Sequence, residues 1–591
     1  MALFFSLILS YAAVRGFRFR ITETGFSPVN LESFNWLIFF IIFTVILYQS
    51  IVEKDRRLKV YASAFSVIIA VFYVLGLSID KREELRWIWS NRSSLLNVLN
   101  LFYSETILYY CFSFLAFRFL KKAAIRSAEV KRKPFALKNV FIFWALFLII
   151  YIPWYLYCYP GILTYDSGDQ VRDALSTSYL LNANPAFVTL LIRAILVPIK
   201  KLTGSVQIGI GICTLLQMLI LTFIFSLTME RISRCLHHPV LIGLAFCWYA
   251  FYPVNNLYSV TMWKDILFSA CLLGFLLCLD NASEDEEAFF TNKRECFLLF
   301  ITMLLLPLLR HNGIFITLMM TIYMFFRFRK FRKKVMLCAC GSLAFYAIWQ
   351  FVFIPAVVTD SITPREMLSV PLQQIARVLR EHRYEMNPED SESLQAYFTN
   401  SEIWNEYDPR LADNVKRYFD NDLFTEDPMR FFRLWAKIGK IYPMDYWEAF
   451  LQNNYGYWYP ETKYWISSYG VIITGHIEDV KTAPVLKLGI VDRIFNWYAY
   501  QKYLKVPLLP LLFSRGACFW VWVFCGCYCL YQNKKKFVLF MPGFLLWFII
   551  LWSAVYNEYR YVYGLFIGAP LLLAACLTGA RHTDQDKLPC D

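Results

Sequence analysis

Residues 139–170 read NVFIFWALFLIIYIPWYLYC-YPGILTYDSGDQ. The first 20 residues of that stretch hold no charge, which is the length and composition of a membrane-crossing helix. The run then breaks at Tyr159-Pro160-Gly161 and delivers two carboxylates, Asp166 and Asp169, to the place where the span meets water. Ionisable groups are costly at such a place and are commonly functional.

The rest of the 591-residue chain repeats the pattern. It is 58% hydrophobic and 19% aromatic, and the apolar residues come in blocks. Spans are expected near 34–51, 60–79, 103–119, 139–158, 207–227, 239–257, 264–279, 296–309, 313–326, 336–355, 507–531, 537–555 and 560–579. With the apolar but short segment 1–14, the total is about 13–14. The expected fold class is an all-α polytopic membrane protein. The stretch 186–199 is too short to span comfortably and is read as a helix lying in the interface.

A net charge of +14 invites a nucleic-acid reading, but the placement of the basic residues argues against it. They gather in short segments between spans: Lys121 to Lys133, Arg327 to Lys334, and Lys534 to Lys536. That is the signature of cytoplasmic loops. Fixing those clusters inside puts the loop holding Asp166 outside, together with Lys264-Asp265, Arg310-His311, Glu558-Arg560 and the long segment 359–506. Arg231, Arg234, His237 and His238 fall inside. The 359–506 segment carries 17 Lys/Arg against 21 Asp/Glu and has helical periodicity, so a mainly helical extracytoplasmic domain is expected there. The remaining divisions are 1–138, accessory spans; 139–358, a transmembrane core with its first outer loop at 159–206; and 507–591, terminal spans and a cytoplasmic tail. The 16 cysteines avoid 359–506 and sit mostly in spans, where they read as small apolar residues. No Cys or His spacing resembles a metal site.

Five features carry candidate chemistry. Asp166 and Asp169 suit a general base, or a pair holding a divalent cation; alternatively, Asp166 simply caps a helix. Lys264 suits a phosphate as a point charge, with Asp265 positioning it, or else Trp263-Lys264-Asp265 is an interfacial anchor. Arg310-His311-Asn312-Gly313 joins two short spans and presents a helix start to an anion; the other reading is a snorkelling arginine in a hairpin. Arg560 in Asn557-Glu558-Tyr559-Arg560-Tyr561 is either a second phosphate contact or an interface anchor. The aromatic run from Tyr442 to Tyr469 suits sugar rings or a bilayer belt.

This layout resembles the GT-C type membrane glycosyltransferases, such as protein O-mannosyltransferases and aminoarabinose transferases. More closely, Pro160-Gly161, Asp166-Ser167, Gln170, Asn184-Pro185, Lys264-Asp265, Arg310-His311-Asn312-Gly313 and the run from Ser369 to Arg377 are similar to an uncharacterised Gram-positive (Firmicute) family of GT-C-like multi-spanning proteins. That likeness runs from about Tyr151 to the C-terminus. The resemblance implies a polyprenyl-phosphate-linked sugar donor, an extracytoplasmic acceptor, and an aspartate of the first outer loop as catalytic base, which is Asp166 by position. Two departures stand out. Asp166-Ser167 replaces the Asp-Glu pair of several GT-C families, and Asn184-Pro185 stands where relatives often have His-Pro. The rival readings are a transporter or flippase of lipid-linked glycans, and a non-catalytic scaffold that binds a cell-wall polymer.

Overall fold

The computed structural model describes residues 1–17, 19–22, 25–28, 33–128, 134–164, 166–176, 180–182, 184–236, 238–358, 363–462, 480, 484–553 and 557–578. Among these the regular secondary structure is helical, apart from one antiparallel hairpin, Phe19–Thr22 with Gly25–Pro28, and isolated bridges. The protein is an all-α, multi-pass membrane protein.

Nine helices among the described residues are long and apolar enough to cross a membrane: Asn35–Val52, Arg56–Arg82, Arg92–Ile125, Leu137–Tyr157, Val206–Cys235, Lys264–Glu284, Arg329–Val357, Lys534–Ser553 and Arg560–Leu577. The pair Pro239–Phe251 and Pro253–Ser259, bent by 44°, makes a tenth if counted as one span. The expected 13–14 is higher because it includes shorter helices. Lys293–Leu309 has 17 residues and Gly313–Arg327 has 15, so they reach only about 26 and 23 Å, short of a hydrocarbon core of about 30 Å. The expected interfacial segment is the 18-residue helix Ala186–Thr203, which packs between Asp166–Leu175 and Val206–Cys235.

Side-chain contacts sort the charged residues to the two ends of the bundle. At one end Arg231 pairs with Asp280 and Glu284, and Lys536 lies near Asp280. Arg327 reaches Glu286, and Lys121 and Tyr531 share Asp55. The Lys264–Glu284 helix, which ends there, begins at the far end, where Lys264 meets Asp166. The basic clusters that orient the chain therefore do lie together. Lys131 to Lys133 and His237 fall outside the described residues.

The N-terminal helices are not simply appended. Arg56–Arg82 and Arg92–Ala128 share the main core, with Phe65 against Trp520 and Phe117 against Phe524. Only Ala2–Gly16 and Ser33–Val52 form a small cluster of their own, on Cys111.

Residues 368–446 have a separate core built on Leu372, Ile375, Leu379, Phe419 and Phe431, as a mainly helical domain requires. The aromatic run does not form one surface. Tyr455, Tyr457, Trp458 and Tyr459 are buried in the bundle core, while Tyr446 closes the domain core. Trp447 is exposed, and Tyr464, Trp465 and Tyr469 fall outside the described residues. What joins domain to bundle is a buried charge network on Arg377. Its guanidinium donates to Glu448 at 2.5 Å and Gln452 at 3.0 Å, and it lies beside Asp445. From the N-terminal helices, Arg86 pairs with the same Asp445 and the Leu85 amide donates to the same Glu448. Removing one partner of such a network strands the others in a low dielectric. Arg377→Ala is therefore expected to cost about 3–5 kcal/mol. It should loosen the 83–90 segment together with the domain, a result that hydrogen exchange would read directly.

Candidate functional site

The site is assembled by two loops that the bundle forces together. Beyond the Leu137–Tyr157 helix, Gly161 takes φ +141°, and a Cβ there would lie 2.3 Å from Thr214 Cγ2. Only glycine fits that conformation at that approach. The Ile162 amide then donates to the Val260 carbonyl at 2.8 Å, and the Met262 amide returns a bond to the Ile162 carbonyl at 3.0 Å. Gln217 Nε2 fixes the second loop by donating to the carbonyls of Tyr258, Ser259 and Thr261. This short parallel pairing sets Asp166, four residues past Ile162, beside Lys264, three past Thr261.

Asp166 begins the helix Asp166–Leu175. The local capping bonds belong to Ser167, whose hydroxyl accepts from the Thr164 amide and donates to the Thr164 carbonyl. The Asp166 carboxylate is left for other partners. Its Oδ2 accepts from Lys264 Nζ at 2.6 Å and from Arg560 Nη1 at 3.0 Å. Lys264 also donates to Asn184 Oδ1, so Asn184 orients the ammonium. The Arg560 guanidinium lies 4.9 Å from the Trp263 ring and 5.1 Å from the Tyr561 ring, and its Nε is 3.6 Å from Glu558.

Arg310 lies beside this cluster and joins it through Tyr561. It pairs with Asp265 at 3.3 Å, donates to the Tyr561 carbonyl at 3.4 Å, and lies 4.7 Å from the Tyr561 ring. Tyr561 thus touches both arginines. In the sequence it is only the neighbour of Arg560, and its sole signal is an aromatic next to a loop arginine. Neither Asp265 oxygen nor Arg560 Nε has a hydrogen-bond partner among the described residues.

His311 Nε2 donates to the Asn182 carbonyl at 3.1 Å, which places the ring proton on Nε2. Burial lowers its pKa, outweighing that bond, and Lys264 lowers it further. The neutral ring donates to Asn182 and so braces the loop that carries Asn184. Asn312 donates to Ser553 Oγ at 3.1 Å and ties the same turn to the helix before Asn557. These two residues hold the site without entering it.

Asp169 does not join. It pairs with Arg172 on the same helix, and both are about half exposed. With Asp169 turned away, the paired-carboxylate metal site has no second carboxylate. Among the described residues, no group of three His, Cys, Asp or Glu could hold a metal ion, and the groups that meet Asp166 are themselves cations. The residues present do not fit a divalent metal at Asp166.

Burial by itself would raise the Asp166 pKa, but Lys264 and Arg560 outweigh it and hold the carboxyl well below the usual carboxylate range. A depressed folded-state pKa means that the ion pairs stabilise the fold fully above the unfolded value, and that this contribution is lost as pH falls toward the folded one. The melting temperature of Asp166→Asn should therefore differ from that of the parent by a constant amount from pH 8 down to about 5, and converge with it as pH falls below about 4. Gly161→Ala should destabilise by about 1–3 kcal/mol and disturb the Ile162 pairing, measurable as a lowered melting temperature in detergent.

Residues 174–588 match the model of a family described as a family of unknown function (DUF6020), and the chain belongs to that family. The match includes Lys264, Arg310, Arg377 and Arg560 and begins eight residues after Asp166. No curated protein and no solved structure matches the chain.

Proposed function

We propose that this member of a family of unknown function is a membrane glycosyltransferase, moving a sugar from a polyprenyl-phosphate donor to an acceptor hydroxyl outside the cytoplasm. The observation that carries the reading is the convergence of one partly exposed carboxylate and three largely buried cations at the bundle end opposite the basic clusters. The positive-inside rule gives that end an extracytoplasmic side. The GT-C resemblance, with an aspartate in the first outer loop, supports the same assignment.

In this reading Asp166 takes the proton of the acceptor hydroxyl. The oxygen forms its bond to the anomeric carbon of the sugar. The bond from that carbon to the phosphate oxygen breaks, and its electron pair leaves with the phosphate. The donor is a diester with one negative charge; the departing monoester carries nearly two. Lys264 and Arg560, backed by Arg310, stabilise the charge that grows as the bond breaks, which is how fixed cations accelerate a reaction. Asp265 and Glu558 hold the arginines in place. Asp169, a candidate for the catalytic pair by its spacing alone, has no part in the step.

Purified protein in vesicles containing polyprenyl-phosphate sugars provides the test. Asp166→Asn is expected to lower transfer by at least about a hundredfold, the usual scale for losing a general base. Asp169→Asn, which breaks only an exposed pair, should stay within about twofold. Full activity in Asp166→Asn would refute the assignment. Movement of the labelled lipid across the vesicle without product would favour the transporter reading.

A further inference from the structure

Lys264 and Arg560 come from segments almost 300 residues apart, yet both donate to one oxygen, Asp166 Oδ2, at 2.6 and 3.0 Å. An ammonium and a guanidinium converging on a single anionic oxygen is also the way a phosphate oxygen is held. The exposures add a direction. The Asp166 side chain is 29% exposed, whereas those of Lys264, Arg310 and Arg560 are 14%, 10% and 5% exposed. The carboxylate is the most exposed of the four groups, and the cations lie more deeply buried. An incoming anion meets Asp166 before it meets the groups that would bind it.

Charge count gives the same result. The cluster holds three cations, Lys264, Arg310 and Arg560, and three anions, Asp166, Asp265 and Glu558. Adding a phosphate while Asp166 stays in place would set two anions on the same donors, which is repulsive. Asp265 is buried with Arg310, and Glu558 is buried with Arg560, so neither can withdraw to water. Asp166 can. Ser167 and Thr164 fix the backbone at the helix start independently of the Asp166 side chain, so a change of rotamer is sufficient.

We propose that Asp166 is the resting occupant of a phosphate site: the phosphate of a polyprenyl-phosphate ligand takes the Lys264 and Arg560 donors from it, and the carboxylate so released is free to accept a proton. The polyprenyl chain and the second half rest on the transferase reading; the exchange of one anion for another does not. The consequence is a base that is unmasked when the donor's phosphate is seated. Without the lipid, both cations hold Asp166 in a form too weakly basic to deprotonate an acceptor or water. It also means that apparent phosphate affinity is reduced by the fraction of protein in which the cations are already taken.

The test is binding, not turnover. The dissociation constants of a polyprenyl monophosphate and of inorganic phosphate are measured on the purified full-length protein in detergent, for the parent, Asp166→Asn and Asp166→Ser. Removing the internal competitor should tighten both ligands by about fivefold, roughly the worth of one partly screened ion pair. A residue with a merely structural role gives the opposite result, a loss of affinity. Lys264→Gln should weaken both ligands. The polyprenyl monophosphate should bind tighter than inorganic phosphate in every form; equal affinities would overturn a lipid-linked ligand. Unchanged or weaker binding in both Asp166 variants would overturn the exchange. The two readings fail separately. Tighter phosphate binding without sugar transfer in vesicles leaves the exchange standing and removes the transferase. Transfer lost in Asp166→Asn without any gain in affinity removes the exchange alone.

Discussion

The Asp166 carboxylate is the point at which three distant parts of the chain meet. It follows the Leu137–Tyr157 helix, and it accepts from the start of the Lys264–Glu284 helix and from the turn that opens the Arg560–Leu577 helix. Each of those elements is held in place by its own packing, so the ion pairs form at a fixed geometry and do not have to order long side chains from solution. That is why a partly exposed pair matters here when a surface salt bridge is usually worth little. The loop pairing through Ile162 provides the alignment, and Gly161 makes that pairing sterically possible.

Around this point the molecule separates its charges by height. Arg231, Asp280, Glu284 and Lys536 compensate one another at one end, and Asp166, Lys264, Asp265, Arg310, Glu558 and Arg560 do so at the other. A third network on Arg377 locks the helical domain to the N-terminal helices. The charges of these networks are tolerated because each has a partner of opposite sign within reach, and they specify which termini meet.

Much of the candidate site is legible in the amino-acid sequence. Short spans around Arg310, a lysine at a helix start and an aspartate after a span are each unusual, and the basic clusters put them at one end. Asp169 is the exception, because its spacing from Asp166 suggests a shared helical face. Spacing along a helix says which residues are neighbours, but not which way the face is turned; here Arg172 takes Asp169 to solvent. The aromatic run has the composition of a surface belt, yet Tyr455 to Tyr459 turn into the bundle. Apolar area drives such rings inward wherever a core can receive them, and that depends on packing. Tyr561 is marked only by its place beside Arg560, and Asn184 only by the Asn184-Pro185 pair; neither shows the contacts it makes.

Alone, the sequence determined the all-α membrane class, the approximate helices and the end at which each charged loop lies, because those follow from runs of apolar residues and from loop charge. Tertiary structure decided which of the assembled groups touch: Asp166 with Lys264 and Arg560, Arg310 with Asp265, and Asp169 with none of them. The physical reason is range. Hydropathy acts along the chain over a span of about 20 residues, whereas an ion pair between residues 166 and 560 exists only once helix packing has brought their termini within a few ångströms.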